Sequence, residues 1–187
     1  MKKTILAVGL TAFATITNAG YLSGELDGTY RPMLGSITTT EIGITQPEQL
    51  GRFTVFLERE NWTKLPDEER VRIRRYMLVY GLVRGKVDTS TFLAQHVLVN
   101  DERTGTVYTQ DDSIVPISGD MFCSTGEPMR AIETINPVQG TGEYANLEGG
   151  QLKLSVIVYN CPGTKNFGNN NMTLRKDGYL KFSSSGE

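Results

Sequence analysis

The sequence is poor in the residues on which most hydrolytic, redox and metal chemistry is built. Its 187 residues include one histidine, one tryptophan and two cysteines. Any Ser-His-Asp or Cys-His mechanism must therefore use His96. Cys-x-x-Cys spacing is absent, so the two cysteines carry no thioredoxin or zinc signature and no metal site is expected. Walker A, Gly-x-Ser-x-Gly and His-Glu-x-x-His patterns are missing too, which removes the commonest nucleotide, esterase and metalloprotease readings. There is no apolar run of the roughly 20 residues that a membrane-spanning helix requires. Nor is there a basic excess: 19 Lys and Arg stand against 21 Asp and Glu, a net charge of −2. That balance argues against nucleic acid or an anionic membrane as partner.

What is present points first to export. Lys2 and Lys3 precede a mostly apolar stretch over residues 5–16, and Thr17 and Ala19 place small residues before a cut between Ala19 and Gly20. This is the pattern of a cleaved signal peptide over residues 1–19, and it implies a periplasmic or extracellular location. No cysteine follows the cut, so no lipid anchor is expected, and no membrane insertion after cleavage. Without Lys2 and Lys3 the mature chain has 17 basic and 21 acidic side chains, a net charge near −4. In an oxidising compartment Cys123 and Cys161 are expected to form one disulfide. Closing a loop of that length stabilises a fold by about 4 kcal/mol on the chain-entropy view.

Twenty glycines and a hydrophobic fraction of 39% suit a β-rich exported domain better than a helical bundle. Residues 20–50 are rich in Gly, Thr and Ser without a sustained period, and read as an irregular N-terminal arm with a short strand near 36–44. Residues 51–187 then read as a single β-barrel domain. Phe53, Val55 and Leu57 alternate on one face of a strand over 52–59. Pro66 with Asp67, Glu68 and Glu69 predicts one helical turn within 61–69. The run 70–87 reads as one long strand, bent at Gly81 and Gly85, with Arg70, Arg72, Arg74 and Arg75 on a solvated face rather than in a binding patch.

Further strands are expected over 91–99, 106–109, 113–117, 128–135 and 151–159. Turns are expected at 100–105 and at Gln110-Asp111-Asp112, and Asp177-Gly178 predicts a two-residue hairpin between 173–176 and 179–182. Eight to ten short strands at such spacing indicate an antiparallel barrel or sandwich. The organising stretch is Gly140-Thr-Gly-Glu-Tyr-Ala145, with Gly149 and Gly150 beyond it. It formally satisfies a dinucleotide-fingerprint spacing, but its glycines open a period-two strand rather than a helix, so no nucleotide cofactor is expected. Gly140, Gly142, Tyr144, Gly149 and Gly150 read instead as a strand corner, with Tyr144 packed over the turn.

The candidate chemical groups are few. His96 falls on an apolar strand face with Phe92, Ala94 and Leu98, where a packed, hydrogen-bonded imidazole is the favoured reading over a base. Glu133 admits two placements. In the favoured one Arg130, Ile132 and Thr134 face inward and Glu133 is wet. In the other Glu133 joins Met129, Ala131 and Ile135 on a lumen face, where desolvation would fit it for acid–base work or ligand anchoring. Asp111 and Asp112 read as a turn rather than a calcium site. Asn61-Trp-Thr63 and Asn171-Met-Thr173 fit the glycosylation acceptor pattern.

Residues 139–154, QGTGEYANLEGGQLKL, resemble the Gly-x-Gly-aromatic corner and following strand of allene oxide cyclase and dirigent-type proteins. Residues 105–112, GTVYTQDD, are similar to a strand and acidic turn found earlier in dirigent-like chains. The resemblance implies an eight-stranded antiparallel barrel with a central cavity. It also implies cofactor-free chemistry, either cyclisation of an unstable lipid epoxide or steering of radical coupling. Three functions follow as expectations. The first is non-catalytic binding of a small apolar ligand or a protein partner. The second is a cofactor-free isomerase or cyclase using Glu133 and His96, and the third a secreted inhibitor or adhesion module.

Overall fold

A computed structural model describes residues 24–42 and 48–184. The expected signal peptide and cleavage site lie outside the described residues. Among the described residues, eleven antiparallel strands form one sheet: β1 (Gly28–Glu41), β2 (Glu48–Arg59), β3 (Tyr76–Asp88), β4 (Leu93–Asn100), β5 (Gly105–Thr109), β6 (Asp112–Ser118), β7 (Met129–Ile135), β8 (Pro137–Gly142), β9 (Leu147–Val158), β10 (Asn169–Leu174) and β11 (Tyr179–Phe182). Eight of them close a ring in the order β1-β2-β3-β4-β6-β7-β9-β10 and back to β1. The other three extend it: β5 pairs with β4 and β8, while β11 pairs with β1 and β9. The fold is thus the all-β antiparallel barrel with one disulfide that the strand count predicts.

The closed ring turns one face of every strand inward. Phe53, Val55 and Leu57 of β2, Met77, Val79 and Val83 of β3, and Leu152, Leu154 and Val156 of β9 are buried in it. An eight-stranded barrel is just wide enough for side chains to fill. Here they nearly do: the apolar lumen keeps a cavity of about 50 Å³ beside Ile37, Phe53, Val79, Tyr144 and Leu154.

The structure corrects several sequence expectations. The stretch expected as an irregular arm carries β1, the longest strand, which pairs with β2, β10 and β11. Its small, polar residues are the outward half of a strand whose inward half, Tyr30, Ile37 and Thr39, is buried. The expected long strand over 70–87 begins only at Tyr76, because the helix α1 (Asp67–Arg72) absorbs its start. Asp67, Glu68 and Glu69 occupy the first turn of α1, where negative charge complements the helix dipole. The arginines are not a solvated row: Arg74 pairs with Glu143, Arg75 with Glu58 and Arg70 with Asp67.

Two predicted reversals are interruptions instead. β10 and β11 do not pair with each other; both lie between β1 and β9, with Asp177-Gly178 in the break. β5 and β6 likewise both run beside β4, and the break at Gln110-Asp111 leaves Asp111 at φ 54°. β4 in the second case, and both β1 and β9 in the first, continue past the turn residues, so the chain resumes its direction.

The glycine corner is the link between β8 and β9. Tyr144 is buried at this corner, and a Cβ on Gly140 would stand 1.9 Å from its carbonyl oxygen. Gly142 adopts φ +61°, and a Cβ there would meet the Thr104 carbonyl oxygen at 1.8 Å. Cys123 and Cys161 are joined, with Cα atoms 5.1 Å apart, tying the 119–128 loop to the end of β9.

Gly142→Ala is expected to destabilise the chain by about 3 kcal/mol, a fall of roughly 6–12 °C in melting temperature. Unchanged melting would contradict the geometric role of this corner. Replacing both cysteines by serine is expected to cost about 4 kcal/mol in urea unfolding.

Candidate functional site

The polar chemistry inside the barrel converges on His96. Its side chain points inward from β4, and the strand opposite offers Gly85, where a Cβ would sit 2.7 Å from the imidazole Cδ2. The ring is therefore seated in the space that a glycine leaves. Asp112, at the start of β6, pairs across the sheet with Ala94, and Glu133 of β7 pairs with Ile114. These neighbours bring three ionisable side chains together in the apolar interior: His96 and Glu133 are nearly fully buried and Asp112 is 0% exposed.

Asp112 is the anchor of the group. His96 Nδ1 lies 2.7 Å from its Oδ2, and the Thr109 hydroxyl donates to the same oxygen. The Asn136 backbone N–H donates to Oδ1 at 2.6 Å. The Thr109 hydroxyl oxygen also accepts the His96 backbone N–H at 2.7 Å. A carboxylate can only accept, so the Asp112 contact places a proton on Nδ1. On the other side of the ring, Nε2 stands 3.7 Å from Glu133 Oε1, beyond hydrogen-bond length but within strong Coulombic reach.

The electrostatics follow from this sandwich. Burial by itself lowers the proton affinity of His96. The bond to Asp112 and the negative charges of Glu133 and Asp112 outweigh it, and the imidazole pKa is raised. Burial is the main influence on Glu133 and raises its pKa; the His96 charge opposes the shift and Asp112 adds to it. The cluster thus raises the proton affinity of both groups, through Asp112 and Glu133 at His96 and through burial at Glu133. No serine or cysteine faces Nε2 within this group, and the Thr109 hydroxyl is committed to Asp112. The arrangement raises the proton affinity of two neighbouring side chains; within this group it sets no nucleophile against Nε2. Among the described residues, no group of three metal-ligating side chains is placed to hold an ion.

The sequence expectations fare unevenly here. His96 is packed and hydrogen-bonded on the predicted face. The favoured wet placement of Glu133 is overturned: Met129, Ala131, Glu133 and Ile135 face the lumen, while Arg130 is exposed. The alternation of β7 is compatible with either parity, and the ring closure selects the one that buries Met129 and Ile135. Asp112 was expected in a surface turn and is the most buried member of the cluster. Taking residues 110–111 as an interruption rather than a reversal would have revealed it, because Asp112 then shares its inward parity with Ile114.

The Tyr144 end of the barrel holds a second polar group. Asn100 Nδ2 lies 2.7 Å from Thr104 Oγ1, 2.6 Å from Glu143 Oε1 and 3.3 Å from Tyr144 Oη, and Arg74 pairs with Glu143 at 3.2 Å. Arg74, Asn100, Glu143 and Tyr144, together with Leu78, Tyr80 and Glu102, line an open cleft of about 310 Å³. Val79 and Tyr144 line both this cleft and the lumen cavity, and so form the partition between them. Burial raises the Tyr144 phenol far above its ordinary range.

No protein-family model, curated protein or solved structure matches the chain.

The proton balance sets the sign of a pH dependence. Both His96 and Glu133 have raised pKa values, so the folded chain holds more protons than the unfolded chain above pH 4.5 and through 6.5. Their contribution to stability is complete at low pH and is lost as pH rises. Glu133→Gln cannot ionise, so its urea midpoint relative to wild type should increase as pH is raised from 4 to 9. A relative midpoint that falls would show Glu133 to be a stabilised carboxylate. His96→Leu leaves Asp112 buried without its partner and should cost about 3–5 kcal/mol.

Proposed function

We propose that this chain is an exported, non-catalytic β-barrel protein that recognises a partner protein through the outer face of its sheet. The observation that carries this reading is the filled lumen. A space of about 50 Å³ is well below the roughly 300 Å³ or more of a typical small-molecule site. The outer face offers more: Leu78, Tyr80 and Leu82 of β3 are each about half exposed, and Val97 and Tyr108 continue the apolar surface. Exposed apolar surface of this kind marks interaction sites more often than chance placement. The disulfide supports an oxidising compartment, consistent with export.

A second reading is favoured by one observation. Glu133 and His96 stand side by side inside the barrel, as a cofactor-free isomerase or cyclase of the allene oxide cyclase type would need. Such an enzyme must first open the lumen, for which Tyr144 and Val79 are the wall nearest the outer cleft.

The test uses a photo-crosslinking amino acid introduced at Leu82, or at Lys153 on the opposite wall, in the full chain in its producing cell. Specific adducts at Leu82 and none at Lys153 are expected. Equal labelling at both positions would remove the outer-face reading. Turnover of an apolar epoxide substrate that disappears in Glu133→Gln would replace it with the enzymatic one.

A further inference from the structure

The outward side chains of β2, β1, β10 and β9 form cross-strand rows that are mostly polar and uncharged. Ring closure packs the inward residues Phe53, Ile37, Met172 and Val156 into the core, so the residues alternating with them are turned outward. One row runs Arg52, Thr38, Asn171 and Ile157, each opposite the next in register. The row beside it runs Leu50, Thr40 and Asn169, and ends at Tyr159, whose backbone N–H donates to the Asn169 carbonyl at 3.1 Å. Neighbouring strands stand about 4.8 Å apart and successive outward residues about 6.7 Å apart, so the groups form a regular lattice. With Asn166, all of these side chains except Ile157 line an open cleft of about 420 Å³.

Most of the hydrogen-bonding capacity of this cleft is unspent. The Thr40 hydroxyl donates to Asn169 Oδ1 at 3.0 Å, but the side chains of Thr38, Asn166 and Asn171 form no hydrogen bond with another described residue. Hydroxyl and amide side chains both donate and accept. The lining contains no carboxylate, and its one cation, Arg52, is paired with Asp101. A cationic ligand would find no counter-charge there, and an anionic one would have to displace Asp101. An apolar ligand would cover the hydroxyl and amide groups without pairing them, which is costly. The cleft therefore fits a neutral ligand dense in groups that both donate and accept, with some apolar surface to lie against Leu50 and Tyr159.

We infer that this cleft is a binding site for neutral carbohydrate, a short stretch of glycan laid across β2, β1 and β10. Sugar hydroxyls donate and accept as Thr38, Asn171 and Asn166 do, and the C–H faces of the rings rest on Leu50 and Tyr159. At about 420 Å³ the cleft exceeds the roughly 300 Å³ of a typical small-molecule site, whereas the lumen at about 50 Å³ does not. The barrel also holds these groups in place. Ile37 and Met172, the chain neighbours of Thr38 and Asn171, are anchored in the core, and Asn170 Nδ2 donates to the buried Thr39 Oγ1 at 3.2 Å. Groups held this way lose little freedom on binding. The site does not depend on the apolar strip of β3, and sugar binding here is separate from protein recognition there.

The test is a printed array of neutral and charged glycans, followed by calorimetry with the neutral oligosaccharides that bind. The full chain is made in a host that does not glycosylate, because Asn171 itself begins an acceptor pattern. Neutral oligosaccharides should bind with dissociation constants of about 10 µM to 1 mM, ahead of sulfated or carboxylated ones. Thr38→Val and Asn171→Ala should each weaken binding at least about fivefold, while Thr54→Val, on the same face of β2 but outside the cleft, should stay within about twofold of wild type. All three positions are exposed, so unchanged melting separates lost binding from lost folding. Separate array arms of N-acetylated amino sugars and of plain hexose polymers identify the source of the glycan, and binding in either supports the inference. Failure to bind any neutral glycan overturns it, as does binding led by charged glycans. Binding that is indifferent to Thr38→Val and Asn171→Ala, or lost equally in Thr54→Val, overturns it too. Crosslinking at Leu82 bears on none of these outcomes, so the two readings succeed or fail separately.

Discussion

Closure of the sheet into a ring is the constraint from which the rest of this structure follows. The ladders joining β3 to β4 and β1 to β10 leave the eight ring strands with neighbours on both sides, so these strands have no long open edge. A ring of eight strands has a narrow interior that must be filled by the inward half of every strand. Each inward residue thereby loses water whatever its chemistry. Val, Leu and Phe gain from this, whereas His96, Asp112 and Glu133 are desolvated and must compensate one another.

That compensation explains the form of the buried cluster. A lone buried carboxylate or imidazolium is costly, and the cost falls when opposite charges and hydrogen bonds surround it. Asp112 collects the imidazole, a hydroxyl and a backbone amide, while burial raises the proton affinity of Glu133. The same closure that creates the cluster also restricts access to it. Chemistry inside the barrel and a filled barrel are opposed requirements, and here the packing prevails. The exterior is under no such restriction, and it is on the partly exposed strip of β3 that we propose recognition takes place.

The strand alternation was legible for β2, β4 and β9, where polar residues separate most of the inward positions, with Phe56, Val97 and Ile157 among the exceptions. The disulfide, the helical turn beginning at Pro66 and the glycine corner were legible for equally local reasons: each depends on residue chemistry within a few positions, or on compartment. Less legible were the segments whose local signal fits two outcomes. Gln110-Asp111 and Asp177-Gly178 carry turn chemistry that serves a reversal or an interruption equally well. Only the continued presence of β4, or of β1 and β9, on both sides of the break decides which occurs. Misplacing the first of these turns hides Asp112, and with it the hydrogen-bond partner that raises the proton affinity of His96.

Sequence alone determined the strand-rich class and the two residues of the disulfide, and it singled out His96 and Glu133 as candidates while favouring a wet position for Glu133. These follow from composition, period and the scarcity of alternatives. Tertiary structure decided which parity of β7 faces inward, that residues 28–41 form a central strand, that Asp112 is buried, and that the lumen is nearly full. The physical reason is that a strand has two faces of nearly equal local merit. Which one meets water is set by the partners that close the ring, and those partners lie far away along the chain.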